Sequence, residues 1–139
     1  NHDYDAAPGI GAKRMNPLAM GKGFTITNGS ITSEFINNLI ETVCQKENIP
    51  YQMDFAGRDT GTDAMAAALA GFDSASTSIG FPIRNMHTIS ETGHTTDVLA
   101  AIHGMAALFK HMDKMNRGKG LSRKDLQNGH PRLDEVKAL

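Results

Sequence analysis

The chain has 139 residues, 14 Lys+Arg against 15 Asp+Glu, a net charge of −1 and 40% hydrophobic residues, an ordinary globular composition with enough length for one domain and its core. Its one cysteine, Cys44, excludes an intrachain disulfide and fits a reducing cytoplasm; no apolar run reaches the roughly 20 residues of a membrane helix, and no signal-peptide core is present. Residues 1–113 carry 7 Lys+Arg against 12 Asp+Glu while residues 114–139 carry 7 against 3, so the acidic body argues against a nucleic-acid surface and the remainder reads as a basic polar tail, partly disordered by composition.

Residues 1–20 combine Asp3 and Asp5 with Pro8, Gly9, Gly11 and Pro17, and read as a strand end running into a loop. The chain opens Asn1-His2-Asp3 without an initiator Met, as expected of a piece of a longer protein. Gly21 to Thr27 is a short strand by its β-branched and aromatic content, closed by Asn28-Gly29. Ser30 or Thr32 can cap the next helix, whose Phe35, Ile36, Leu39, Ile40 and Val43 make one apolar face. Asn48 and Pro50 end it, and Tyr51 to Ala56 alternates as a half-buried strand does.

A polar loop, residues 57–63, precedes an all-apolar helix over residues 64–70 and a third strand over residues 76–81. The last helix starts near Thr95 or Thr96, carries Asp97 in its first turn and places Val98, Leu99, Ile102, Met105, Ala106, Phe109 and Met112 on one stripe that stops after Asp113. Strand and helix alternate throughout, which predicts an α/β fold with a largely parallel or mixed sheet flanked by helices. In such sheets ligands gather at the carboxyl ends of strands, so the loops carrying Asp3, Arg58 to Asp63, and Arg84 to Glu91 are expected to meet at one edge.

The segment Phe81 to Glu91 holds a lone histidine, His87, between the third strand and the last helix. Read alone, it offers either a metal ligand or catalytic imidazole at a sheet edge, or a histidine satisfied by the backbone of a loop. No His-Glu-x-x-His pair, Gly-x-Ser-x-Gly elbow or phosphate-binding glycine loop accompanies it. His103 and His111 lie in the last helix and read as packing or surface residues. The loop before residue 64 reads as a helix N-terminus with Thr62 capping and Asp63 complementing the dipole, whose amides can also hold a substrate carboxylate or carbonyl.

Taken in order, Asp3 to Ala7, Gly21-Lys22-Gly23, Ile49-Pro50-Tyr51-Gln52, Gly61-Thr62-Asp63-Ala64 and Pro82-Ile83-Arg84-Asn85-Met86-His87-Thr88-Ile89-Ser90-Glu91 resemble the C-terminal part of the dinuclear-zinc aminopeptidases of the tetrahedral or glutamyl (endoglucanase-like) family, cousins of the aspartyl aminopeptidases. The resemblance runs to about residue 112. It implies that residues 1–113 are the C-terminal portion of a cytoplasmic metallo-aminopeptidase catalytic domain. Such an enzyme hydrolyses N-terminal residues from peptides by a two-metal, activated-water mechanism.

It implies Asp3 and His87 as ligands of the two zincs, with Asp5 a second candidate beside Asp3 and cobalt an alternative metal. Thr62 and Asp63 would border the substrate, while Arg84 and Glu91 would orient the site or contact a subunit. The general base and remaining ligands of the family lie upstream, so no catalytic residue is assigned here. A fragment without its missing N-terminal part would be inactive, and the complete protein is expected to be a homo-oligomer. The alternative is a non-enzymatic α/β binding or oligomerisation module derived from such an enzyme.

Overall fold

The computed structural model describes residues 18–56, 66 and 75–119, the side chains of the last four excepted. Apart from Ala66, which is helical, the predicted helix over residues 64–70 therefore lies outside the described residues, as does the tail from residue 120.

Strand β1, Phe24–Asn28, is the centre of a three-stranded sheet. Its sequence alternates two apolar side chains, Phe24 and Ile26, with two threonines, Thr25 and Thr27, and all four are buried. Alternation sends the first pair to the helix-covered face and the threonines to the other. Strand β2, Tyr51–Phe55, runs parallel to β1 with Ile26 opposite Met53. Strand β3, Ser78–Gly80, pairs with the other side of β1 with Ile26 opposite Ile79, and it is antiparallel.

The sheet is thus mixed, the second of the two expected arrangements, with β3 its antiparallel strand. Alternation reports which face is buried and is silent on direction.

Helix α1, Glu34–Lys46, is capped by Ser33, whose hydroxyl accepts from the Ile36 N–H at 3.5 Å. Neither Ser30 nor Thr32 has that role. The Thr32 hydroxyl accepts from the Gly29 N–H at 2.9 Å, closing the turn ahead of the helix. At the far end Asn48 takes φ 54°, and the Glu47 and Ile49 amides donate to the Val43 and Cys44 carbonyls at 3.0 and 2.8 Å, which satisfies carbonyls the helix leaves open.

The α1 face turned inward is Asn37, Leu39, Ile40, Val43 and Cys44, with Phe35 and Ile36 only partly covered. Asn37 was missed by a pattern that counts apolar residues. Its buried amide donates to the Thr27 carbonyl at 3.0 Å and to the Asn28 side chain, and it accepts from the Thr77 hydroxyl, so one side chain ties α1 to β1 and to the segment leading into β3. Burial and then the Glu41 carboxylate push the Cys44 thiol up to about 11, which leaves it unreactive at neutral pH.

A two-stranded antiparallel sheet follows, β4 over Ile83–Arg84 and β5 over Thr92–Gly93, and then the long helix α2, Thr95–Lys119. Helix α2 runs past Asp113, where the apolar pattern stops. It also packs on a different face from the predicted stripe. Asp97, Ala100, Ala101, Gly104 and Leu108 are buried, whereas Leu99, Ile102 and Phe109 are 54%, 58% and 65% exposed.

Small residues on the inner face let the helix axis approach β1 closely. A Cβ on Gly104 would stand 3.0 Å from the Phe24 ring and 3.5 Å from the Cys44 sulfur. The core joins Phe24 and Ile26 to Leu39, Ile40, Cys44, Ala100, Ala101 and Leu108, each large side chain contributing about 1.5–3 kcal/mol on burial. Gly104→Ala is therefore expected to destabilise the fold by roughly 1–3 kcal/mol through overpacking, although alanine favours helix. A lowered urea midpoint with an unchanged slope is the result to look for. No helix among the described residues is long and apolar enough to cross a membrane.

Candidate functional site

The histidine singled out in the sequence sits at the tip of a hairpin. Beyond β3 the buried Pro82 leads into β4, and Arg84 pairs across the hairpin with Thr92 of β5. Two-residue strands leave no readable alternation, which is why this pair escaped the sequence reading. Between them the loop is knotted by its own polar groups. The Thr88 amide and hydroxyl both donate to the Asn85 carbonyl, at 3.1 and 2.7 Å. The Asn85 amide reaches the Ser90 carbonyl at 3.4 Å.

Asn85 and His87 both adopt the left-handed region, at φ 57° and 64°. For a non-glycine residue this costs about 1 kcal/mol or more, so something must hold it. The Glu91 carboxylate does, accepting from the His87 N–H at 2.6 Å. His87 is thereby fixed through its main chain, and its side chain stays exposed. Arg84 and Glu91 are exposed on the same hairpin.

A second polar assembly lies where β1 begins. Asp97, fully buried at the start of α2, accepts from the Gly21 and Gly23 amides, each at 2.8 Å. The Gln52 amide accepts from Ala19 N–H at 2.9 Å and donates to the Ala19 and Gly23 carbonyls at 3.0 and 2.8 Å. Gly23 has φ 103°, and a Cβ there would fall 2.2 Å from the Pro50 carbonyl oxygen. The Gly21-Lys22-Gly23 and Pro50-Tyr51-Gln52 motifs are therefore two halves of one clamp, closed by Asp97.

Sequence reading gave Asp97 only a helix-dipole role, since a contact across more than seventy residues leaves no local trace. The adjacent His94 accepts from the Thr96 amide at 3.3 Å through Nδ1, and its ring lies 3.6 Å from where a Gly21 Cβ would be.

Arg84, His87 and Glu91 are brought together on one hairpin. Asp3, Asp5, Thr62 and Asp63 lie outside the described residues. Topology also revises how the loops leave the sheet. Because β3 is antiparallel, Gly80 stands beside Thr25 near the start of β1, whereas β2 ends beside Asn28. The chain thus leaves β3 for the hairpin at the end of this sheet opposite to the one where β2 ends. Among the described residues no group of three or more His, Cys, Asp or Glu is placed to hold a metal ion. The exposed imidazole of His87 is a sound donor for one zinc position, and further donors would have to come from elsewhere.

The fold defined by these elements is one found in solved aminopeptidases. Aminopeptidase I from Borrelia burgdorferi B31 superposes with a TM-score of 0.56 at 23% identity, over 69% of this chain and 22% of its own. The TET aminopeptidase from the marine sediment archaeon Thaumarchaeota archaeon SCGC AB-539-E09 gives 0.58 at 20% identity, over 81% and 30%. A chain of the Ape4 and Nbr1 complex gives 0.64 at 19% identity, over 88% and 25%.

The chain thus spans between a fifth and a third of the length of these structures. No curated protein sequence matches it. A family model for the M42 glutamyl aminopeptidases matches residues 4–103, and the chain belongs to that peptidase family. The matched span holds Asp5, Thr62, Asp63, Arg84, His87 and Glu91, and Asp3 lies one residue before it.

Proposed function

We propose that this chain is the C-terminal portion, over residues 1–113, of the catalytic domain of a cytoplasmic metal-dependent aminopeptidase. An N-terminal part of the same protein completes it, and the fragment is inactive alone. The observation that carries the reading is the hairpin that fixes His87 by its backbone and leaves its imidazole exposed, within a span that matches a peptidase family. A ligand must be held rigidly while its nitrogen remains available, and a carboxylate on the main-chain amide achieves both.

In this reading His87 and Asp3 each hold one metal, zinc or cobalt, with Asp5 the alternative to Asp3, and Thr62 and Asp63 border the peptide. Metal ions supply Lewis acidity and a water of lowered pKa in such sites. This chain's own part is positional. Glu91 holds the His87 backbone, and Arg84 on the paired strand extends the polar face of the same hairpin. The apolar stripe of α2 left open by Leu99, Ile102 and Phe109 supports a larger body packed around the described residues. Assembly as a homo-oligomer belongs to the same proposal and is supported by a neighbouring structure described as a TET dodecamer.

The test uses the complete protein. It should contain about two zinc ions per chain, cleave aminoacyl anilides and ignore the same substrates with a blocked amine. Cleavage of blocked substrates instead would make it a deacylase or carboxypeptidase on the same scaffold, and absence of metal and of cleavage would leave the binding-module reading.

A further inference from the structure

Between the end of α1 and α2 lies an open cleft of about 710 Å³ whose lining holds none of the residues given a role in the peptidase chemistry. Its floor is apolar, with Val43, Ile49, Pro50 and Leu99. Three lysines also line it, Lys46 from α1 and Lys110 and Lys114 from α2, together with His103, His111 and one acid, Glu47. Five Lys and Arg side chains are described in all, Lys22, Lys46, Arg84, Lys110 and Lys114, and three of them converge here on a body that is otherwise acidic.

We propose that this cleft binds an acidic peptide segment, with carboxylates on the lysine row and an apolar side chain between them on the floor. The lysines stand on two helices, Lys46 at the end of α1 and Lys110 and Lys114 one turn, about 6 Å, apart on α2, a spread that suits separate carboxylates better than one phosphate a few ångströms across. The cleft has no arginine fork, the device that grips phosphate bidentately. Spaced ammonium groups over an apolar floor instead match carboxylates distributed along a chain.

Two of the carbonyls at the end of α1, those of Val43 and Cys44, already accept from the Glu47 and Ile49 amides. His111 supplies an independent sign. Its Nε2 is buried without a hydrogen-bond partner among the described residues, and burial, then Lys46 and Lys114, push its imidazole below the usual range. An incoming carboxylate would relieve that local excess of positive charge.

The experiment titrates the complete protein into a fluorescein-labelled peptide of alternating Glu and Leu and reads anisotropy. Saturable binding that weakens with added salt is expected, falling at least about tenfold in a Lys46→Gln, Lys110→Gln, Lys114→Gln variant. These lysines are exposed, so circular dichroism should confirm an intact fold. In the same titration by NMR, the His111 ring should titrate at higher pH with peptide than without.

Equal binding of a Lys-for-Glu control peptide overturns the proposal. So does unchanged affinity in the triple variant, or an unmoved His111 midpoint. Binding of tripolyphosphate with none of the Glu peptide would reassign the cleft to a phosphate ligand, and concentration-dependent self-association that buries the lysines would reassign it to a second copy.

Discussion

Replacing His87 by alanine in the complete protein is expected to remove about one zinc per chain and to lower kcat/KM on an aminoacyl anilide by more than about 10²-fold, with thermal stability nearly unchanged. The stability half follows from exposure, since His87 lies on a hairpin tip outside the core, and surface changes usually stay within about 0.5 kcal/mol. The metal half follows from the proposed role, because partners that merely orient a ligand already cost about 10–100-fold and a ligand should cost more.

Glu91 separates positioning from ligation. Glu91→Gln keeps an oxygen that can accept from the His87 amide and should retain most metal affinity, whereas Glu91→Ala leaves φ 64° at His87 unsupported and should lose about 10–100-fold. Atomic absorption and steady-state kinetics on the three variants read this out. Full zinc content and full activity in His87→Ala would remove the proposed role and leave the hairpin a structural loop.

What could be read from the residues follows the length over which each physical pattern repeats. Strands β1 and β2 and helix α1 show their periods over five or more residues, so their places were legible. The direction of β3 was not, because period-two alternation is the same in either sense, and β4 and β5 are too short to alternate at all. Helix α2 misled in a more informative way. The bulky apolar residues suggested the buried face, yet the face that meets β1 is the one with Ala100, Ala101 and Gly104, since close approach to Phe24 excludes larger side chains.

The site divides along the same line. His87 stood out as a residue within a family-like motif, but spacing gave no means to see that Glu91 binds its amide, because an i, i+4 relation has no fixed meaning outside a helix. Asp97 and Gln52 were invisible as partners of Gly23 for a related reason, lying 74 and 29 residues away.

That clamp is where the largest effect on folding is expected. Gly23→Ala should cost more than about 3 kcal/mol, a large fraction of the 5–15 kcal/mol typical of a domain, and should appear as insoluble or unfolded protein at 25 °C. Two independent penalties meet at this residue. A φ of 103° is one an L side chain rarely adopts, and its Cβ would overlap the Pro50 carbonyl at 2.2 Å, a backbone atom that cannot swing aside.

Relief would require β1 and β2 to part at the very register where Phe24 pairs with Tyr51, loosening the core around Phe24. Gly21→Ala is the matched comparison: φ is 78°, but the nearest atom is the His94 ring at 3.6 Å, an ordinary contact, so only the backbone penalty of about 1–2 kcal/mol applies. Asp97→Asn should fall between them, near 2 kcal/mol, because a carboxamide has one acceptor oxygen for two buried amides and turns an N–H donor toward the other. Urea midpoints ordered Gly21→Ala, Asp97→Asn, Gly23→Ala from mildest to most severe would show that steric closure of the turn outweighs its hydrogen bonds. The reverse order of the last two would make the buried carboxylate, rather than the missing Cβ, the reason for a glycine there.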